Sequence, residues 1–391
     1  MRNYNVLITG LGVVSAAGVG LDNTLDSFSR GKRNAGRVTL FETSLPYPVF
    51  EVKDIPEKFY MEGRRTLSLA LCAVDEALGN AELGSDLSGF RVGVCLGTTV
   101  ASQLNDIEFY KSYRNTRSAP MTSANRYLKG NVAEFISRRF KVRGPALTVV
   151  NACSSGTDAI GVAISWLNNG LCDIAIAGGA DEMNIVPLCG FGSLGVLSSE
   201  LCMPFDRDRK GLNLGEGAGI LVIETRESVE KRGMTSGLFI SGYGSASDSY
   251  HLTAPRPDGA GLEASISKAL SDAGITLADV SFVNAHGTAT TDNDLVEGRL
   301  LGKIFGAGLK MLSTKGYTGH TLGAAGGMEA VFSAAALREG WIPASAGFEN
   351  RDENIPVAPV VRKTTVDGRY ALSTSLAFGG NNAALVLERK G

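Results

Sequence analysis

Cys153 stands where an apolar run breaks into small residues. Val149-Val150-Asn151-Ala152-Cys153-Ser154-Ser155-Gly156 reads as a strand ending in a turn, and Thr157-Asp158-Ala159-Ile160-Gly161-Val162-Ala163-Ile164 after it has helical character. A nucleophile at such a junction is presented at the end of a sheet and at the positive end of a helix dipole, which favours thiolate over thiol. A free cysteine titrates at about 8.5, so this setting predicts a lower value and a reactive sulfur. The chain has three histidines, and two of them lie in glycine-threonine turns. His286 follows the strand-like Val283-Asn284-Ala285 and precedes Gly287-Thr288. His320 closes Ser313-Thr314-Lys315-Gly316-Tyr317-Thr318-Gly319-His320, ahead of a small-residue helix able to pack closely on another backbone. Neutral imidazoles donate N–H bonds to an oxyanion or enolate. Gathered with Cys153, they suit acyl transfer through a thioester. A fourth segment, Ser373-Thr374-Ser375-Leu376-Ala377-Phe378-Gly379-Gly380-Asn381-Asn382, offers a glycine turn whose backbone N–H groups are free to donate. Cys72, Cys95, Cys172, Cys189 and Cys202 are expected to be small buried thiols.

The elements that must position these residues alternate strand and helix, which gives an α/β class with mostly parallel central sheets. An internal repeat runs through them. Helical Ala70–Leu78 leads to the strand Arg91–Leu96 and then Gly97-Thr98-Thr99. Much later, helical Ala264–Ala273 leads to Val280–Ala285 and then His286-Gly287-Thr288. The openings also match, Val6-Leu7-Ile8-Thr9-Gly10-Leu11-Gly12 against Leu238-Phe239-Ile240-Ser241-Gly242-Tyr243-Gly244. A duplicated chain results, with halves 1–235 and 236–391 in one packed body. Val6–Val14 after Arg2 could pass for a short signal peptide. It reads better as a first strand running into a glycine loop, with a helix beginning at Leu21. Gly10-Leu11-Gly12-Val13-Val14-Ser15 lacks the third glycine of a dinucleotide fingerprint.

The 391 residues exceed one simple core, and a net charge of −2 implies no general nucleic-acid affinity. The six cysteines form no Cys-x-x-Cys pair and no metal-ligand spacing with the histidines, which argues against zinc and a disulfide framework. A reducing cytoplasm fits. No apolar run is long enough to span a membrane.

Together the four motifs resemble the β-ketoacyl-[acyl carrier protein] synthases of type I/II, the Cys-His-His condensing enzymes of the thiolase superfamily. The likeness extends from Thr9-Gly10-Leu11-Gly12 to Phe378-Gly379-Gly380-Asn381-Asn382 and takes in Pro204-Phe205-Asp206 and Gly215-Glu216-Gly217-Ala218-Gly219. It implies a five-layered α-β-α-β-α fold of two duplicated halves. It also implies that Cys153 accepts an acyl group and that His286 and His320 stabilise the enolate formed from decarboxylated malonyl-carrier protein. Lys315 and Glu329 match residues that support the histidines. Phe378 matches a gating phenylalanine, whose N–H forms an oxyanion hole with that of Cys153. Thr288, Thr290 and Thr253 match the lining of a phosphopantetheine tunnel, and Arg64 and Arg65 a basic site for the acidic carrier protein. His251 reads as structural. No cofactor or metal is implied beyond the phosphopantetheine of the carrier protein or coenzyme A. The family pairs as homodimers, and a heterodimer with a silent partner is the alternative.

Two other roles fit less well. Non-catalytic partners of the chain-length-factor kind typically lose the cysteine, and thiolases proper use a second cysteine late in the chain, whereas none follows Cys202. Some positions depart from the family pattern. Only Ser198–Met203 separates Leu197 from Pro204, where housekeeping enzymes carry a longer insert. The Gly-Phe-Gly-Gly-Thr-Asn signature is here Ala377-Phe378-Gly379-Gly380-Asn381-Asn382, with Leu376 and Ala377 as gate neighbours. Asn151 precedes the nucleophile, and Ser154-Ser155 follow it. These changes border the acyl pocket, so they bear on the substrate and leave the reaction type intact; a specialised polyene or polyketide substrate stands beside fatty-acid elongation.

Overall fold

A computed structural model describes residues 6–100, 107–122, 125 and 131–390. Ten strands carry the architecture: β1 (Val6–Ser15), β2 (Val92–Gly97), β3 (Ala146–Val149), β4 (Ile174–Asp181), β5 (Gly217–Glu224), β6 (Leu238–Ser247), β7 (Val280–Asn284), β8 (Met311–Leu312), β9 (Tyr370–Ala377) and β10 (Asn381–Arg389). The helices that matter for the site are α1 (Arg65–Asn80), α2 (Ser155–Asn168), α3 (Ile185–Ser193), α4 (Ala260–Ala273), α5 (Thr291–Phe305) and α6 (Ala325–Glu339).

The strands lie in the order β3-β2-β4-β5-β1-β6-β10-β9-β7-β8. Counted within its own half, each set of five runs third, second, fourth, fifth, first from the outer edge inward. The two sets touch through β1 and β6, where Val6 pairs with Ile240 and Leu7 with Phe239. In each half the two outer pairings are parallel and the two inner ones antiparallel. The expectation of mostly parallel sheets is therefore corrected: with the antiparallel β1–β6 pairing, four pairings are parallel and five antiparallel. One reason is the short Phe378-Gly379-Gly380 turn between β9 and β10, since so tight a connection joins only antiparallel neighbours. Gly379 and Gly380 take φ of 89° and 80° there.

Helices complete five layers. The first half-sheet carries α1 on its outer face, and the second carries α4. Between the half-sheets lie α2 and α6, and α6 touches β4 and β5 on one side and β9 and β10 on the other. Every residue of α6 from Ala325 to Leu337 is buried, as a helix enclosed on all sides requires.

The first strand runs, as expected, into a turn at Ala16-Ala17 ahead of a helix that begins at Leu21. Gly10 and Gly12 belong to β1, where a Cβ would fall 2.0 Å from the Ala77 carbonyl oxygen and 1.9 Å from that of Ala73. The missing side chains let α1 lie directly on the strand. Gly242 and Gly244 of β6 do the same for α4, with clashes of 2.0 Å against Ala269 and Ser265.

Candidate active site

β3 ends at Val149, and the chain turns through Ala152, which takes a left-handed φ of 49°. The Ser155 N–H donates to the Ala152 carbonyl at 3.2 Å, and α2 begins at once. This turn holds Cys153 at the head of α2, 5% exposed. Its Sγ lies 3.1 Å from Nε2 of His320 and accepts the backbone N–H of Phe378. The expected lowering of the thiol pKa does not hold. Burial pushes Cys153 up to about 11, outweighing the Lys315 charge and the Phe378 N–H. Near neutral pH that direction favours the thiol over the thiolate.

Both histidines are buried beside it, their rings 5.3 Å apart and nearly perpendicular. Desolvation and the Lys315 charge hold both imidazoles well below the usual histidine range, so both are neutral. Their tautomers follow from their neighbours. Nδ1 of His320 accepts the Leu322 N–H at 3.3 Å. Nδ1 of His286 faces the Lys315 ammonium at 3.1 Å. An accepting Nδ1 leaves the ring proton on Nε2. The sulfur and two ring nitrogens come within 4.8 Å of one another. That spacing would also suit a metal ion, but nitrogens that carry protons are set to donate and not to ligate.

Lys315 is buried, donates to the His286 carbonyl at 2.6 Å and forms an ion pair with Glu329 of α6. Burial pushes Glu329 up to about 7 despite that partner. The backbone of His320 is pinned by its N–H to the Asn213 carbonyl at 2.8 Å, and its own carbonyl accepts the Gly215 N–H at 3.0 Å. The His286 turn is clamped from α5. Glu297 accepts the N–H groups of His286 and Gly287, both at 2.8 Å, and the Thr374 hydroxyl at 2.8 Å. Asp294 accepts the N–H of Ala289 at 3.1 Å and of Phe205 at 2.6 Å. These two carboxylates were missed in the sequence. Their three-residue spacing on one helix face, directly after the histidine motif, was the available signal. Asp181 at the end of β4 ties the His320 loop to β2, accepting the Gly323 N–H at 2.7 Å and the Thr98 hydroxyl at 2.7 Å.

A cavity of about 360 Å³ reaches this cluster from exposed Thr291 and Asp292, past Thr253, Thr288 and Thr290. A second cavity of about 470 Å³, almost wholly apolar, lies beyond it, lined by Val100, Val186, Pro187 and Leu322. Phe378 and Phe191 line both. Their rings stack at 5.4 Å, a double plug between the two spaces. Phe191, on α3, was another residue that sequence reasoning passed over.

Not every expected residue is at the site. Arg65 is committed inside the fold: its guanidinium binds Glu216 at 2.7 Å and the Val52 carbonyl at 2.7 Å. Glu216 is buried and also accepts the N–H groups of Val52 and Met183. Arg65 is therefore a buttress under the chain leading to α3 and not a free docking cation. Arg64, half-buried, lies over the Phe135 ring at 5.7 Å. His251 is exposed and its Nδ1 accepts the Ala254 N–H at 3.1 Å, capping its own turn. Cys72, Cys95, Cys172 and Cys202 are buried as expected, but Cys189 is exposed, on the outer face of α3.

Comparison with known proteins agrees with this geometry. Residues 3–228 match the family model for the beta-ketoacyl synthase N-terminal domain, and residues 238–349 that for the C-terminal domain. The chain is 33% identical to 3-oxoacyl-[acyl-carrier-protein] synthase 2 of Staphylococcus aureus (strain N315), covering 99% of each. Among solved structures it superposes on a chain of the ishigamide ketosynthase/chain length factor with a TM-score of 0.93, at 31% identity over all of both chains. A ketosynthase complexed with its chain length factor from Xenorhabdus doucetiae follows at 0.84, with 28% identity over 99% of this chain and 98% of that one. A thiol flanked by two proton-bearing imidazoles, at the seam of a duplicated five-layer fold, thus has relatives over its whole length: the chain belongs to the β-ketoacyl synthase family and is a condensing acyltransferase.

Proposed function

We propose that Cys153 takes an acyl group from a carrier protein or coenzyme A and that malonyl-carrier protein then extends it by two carbons. In the first step the sulfur of Cys153 displaces the phosphopantetheine thiol from the acyl carbonyl, and the cysteine proton leaves with that thiol. In the second, malonyl thioester loses carbon dioxide, and the electron pair of the broken C–C bond becomes an enolate. Its oxygen rests on the Nε2–H groups of His286 and His320. The enolate carbon attacks acyl-Cys153, whose oxyanion is held by the N–H groups of Cys153 and Phe378. Collapse releases the 3-oxoacyl thioester, and the Cys153 sulfur takes up a proton. Lys315 fixes the His286 tautomer, and Glu329 balances Lys315 in the buried site.

The observation that carries this reading is that both Nδ1 atoms are occupied, leaving two Nε2–H donors converging beside one sulfur. The cavity past Thr253, Thr288 and Thr290 would admit the phosphopantetheine arm, and the apolar cavity behind Phe378 and Phe191 the growing acyl chain. No cofactor beyond the carrier-borne arm is needed. A division at 235/236 fits the repeated strand order and the two family models.

We also propose that the protein works as a dimer and meets an acyl carrier protein, with Arg64 among its contacts. Among the described residues no strand pairs with the outer edge of β3, and Leu147 within it and Val150 just after it are 43% and 65% exposed, the kind of edge a second chain covers. Two of the similar structures contain a chain length factor, which favours a heterodimer as the second reading. No helix of the described residues is long and apolar enough to cross a membrane. Free cysteines throughout the described residues support a cytoplasmic setting. The test is to supply malonyl-carrier protein with acyl-carrier donors of graded length and unsaturation, and to follow carbon dioxide and the products. Release of carbon dioxide with a 3-oxoacyl product supports the reading, and the preferred donor distinguishes fatty-acid from polyene substrates. Absence of carbon dioxide release, alone and with a chain length factor added, refutes it.

A further inference from the structure

The residues that flank the nucleophile and follow the gating turn meet each other. Asn381 opens β10 directly after Gly380, and its Nδ2 donates to Oδ1 of Asn151 at 2.6 Å. Asn151 in turn donates from its own Nδ2 to Asp158 of α2 at 2.5 Å. A carboxylate only accepts, so this second bond fixes which way the Asn151 amide faces and turns its oxygen toward Asn381. Asp158 is held by two further donors, the Ser154 hydroxyl at 2.8 Å and the Tyr243 hydroxyl at 2.7 Å. Tyr243 reaches it across Gly161, where a Cβ would fall 2.5 Å from the ring. Three neutral donors around a carboxylate in the first turn of α2 make a stable anchor, since the helix N-terminus also favours negative charge.

The gating turn is otherwise tied to the segment on its other side. The Gly379 N–H donates to the Leu252 carbonyl at 2.7 Å, and the Gly380 carbonyl accepts the Asp248 N–H at 2.7 Å. The Asn381–Asn151 bond thus spans the gap between the turn bearing Phe378 and the turn bearing Cys153. The Phe378 N–H that points at Sγ lies three residues before Asn381.

We propose that Asn381, Asn151 and Asp158 form a latch that holds the Phe378 turn against the nucleophile turn and so keeps the Phe378 N–H aimed at the carbonyl oxygen of the acyl-Cys153 intermediate. All three are positioning residues, and the proposal rests on the condensing mechanism above. The latch serves the steps that pass through an oxyanion on the Cys153 thioester. It does not serve decarboxylation, in which the negative charge falls on the two imidazoles.

The informative variant is Asn381→Asp, which keeps the size of the side chain and sets an acceptor against the Asn151 oxygen. Acylation of Cys153 by an acyl-carrier donor, read by intact mass against time, is expected to slow about tenfold, less than the roughly 10²–10³-fold that outright removal of an oxyanion-hole donor costs, because the Phe378 N–H is displaced and not lost. Carbon dioxide release from malonyl-carrier protein by the unacylated enzyme is expected to stay within about twofold, whereas a general loss of structure would lower both rates together. Asn381→Ala, Asn151→Ala and the double variant should slow acylation equally, because each breaks the same bond. Additive losses, a parallel fall in decarboxylation or an unchanged acylation rate would overturn the latch. Wild-type protein in the same assays separates the two levels: if it neither acylates nor decarboxylates, the condensing mechanism fails, and not the latch alone.

Discussion

At the scale of single residues, burial decides the chemistry. Cys153 was expected to gain from the dipole of α2, but burial pushes its thiol up to about 11 against the Lys315 charge and the Phe378 N–H. Because the folded value lies above the neutral range, the thiolate fraction grows with pH throughout it. Alkylation of Cys153 by iodoacetamide should keep accelerating through about pH 9, roughly tenfold per unit, since the thiolate is the reactive form. A plateau below neutrality, read by mass spectrometry on the Cys153 peptide, would show a resting thiolate instead. Lys315 and Glu329 were legible only through the resemblance, because fourteen residues of turn and helix separate them. Removing Lys315 alone strands a buried carboxylate, so the cleaner variant is Lys315→Met with Glu329→Gln. It should fold and still acylate, while malonyl decarboxylation falls by about 10²-fold or more, as loss of a well-placed polar catalyst does. An unchanged decarboxylation rate would remove Lys315 from the mechanism.

At the scale of elements, close backbone approach builds the seam between the halves. α2 and α6 cross where a Cβ on Gly156 would fall 2.6 Å from the Gly327 nitrogen. A Cβ on Gly327 would meet the Gly179 nitrogen and the Gly219 oxygen, each at 2.5 Å. Both neighbours are strand backbone that cannot give way. Gly327→Ala should therefore destabilise the fold by about 1–3 kcal/mol, the usual cost of overpacking, whereas Gly170→Ala loses only a left-handed turn glycine. Urea titration of both variants checks the contrast, and equal midpoints would contradict it.

The repeat of Val6–Gly12 at Leu238–Gly244 was visible in the sequence because both strands need glycine for the same purpose. That purpose was hidden, because the atoms the glycines avoid lie on separate helices, Ala73 and Ala77 more than sixty residues from β1, and Ser265 and Ala269 more than twenty from their partners in β6. The same distance problem concealed the partner of Arg65, which lies 151 residues along the chain. Parallel pairing was overestimated because alternating elements do not disclose which strands are joined by tight turns.

At the scale of the whole molecule, the two halves each contribute what the other lacks. The first supplies the thiol, Phe191 and most of the wall of the apolar cavity, and the second supplies the imidazoles, Lys315, Leu322 and Phe378. On the proposed reading, surface charge matters where a carrier protein docks. Arg64→Glu should raise KM for carrier-borne donors several-fold at low salt, with the difference shrinking as salt screens the contact. Small thioester donors should be unaffected. Arg65→Glu should instead lower stability, since it buries a second carboxylate against Glu216. Equal KM effects from the two variants, without loss of stability in either, would contradict this assignment.

The proposed mechanism turns on acylation of Cys153. Intact mass is measured after incubation with acyl-carrier donors of several chain lengths, with Cys153→Ala run alongside. A single added acyl mass on the wild type, absent from the variant, is the predicted result. An adduct that persists in Cys153→Ala, or none with any donor in the presence of a chain length factor, would contradict it.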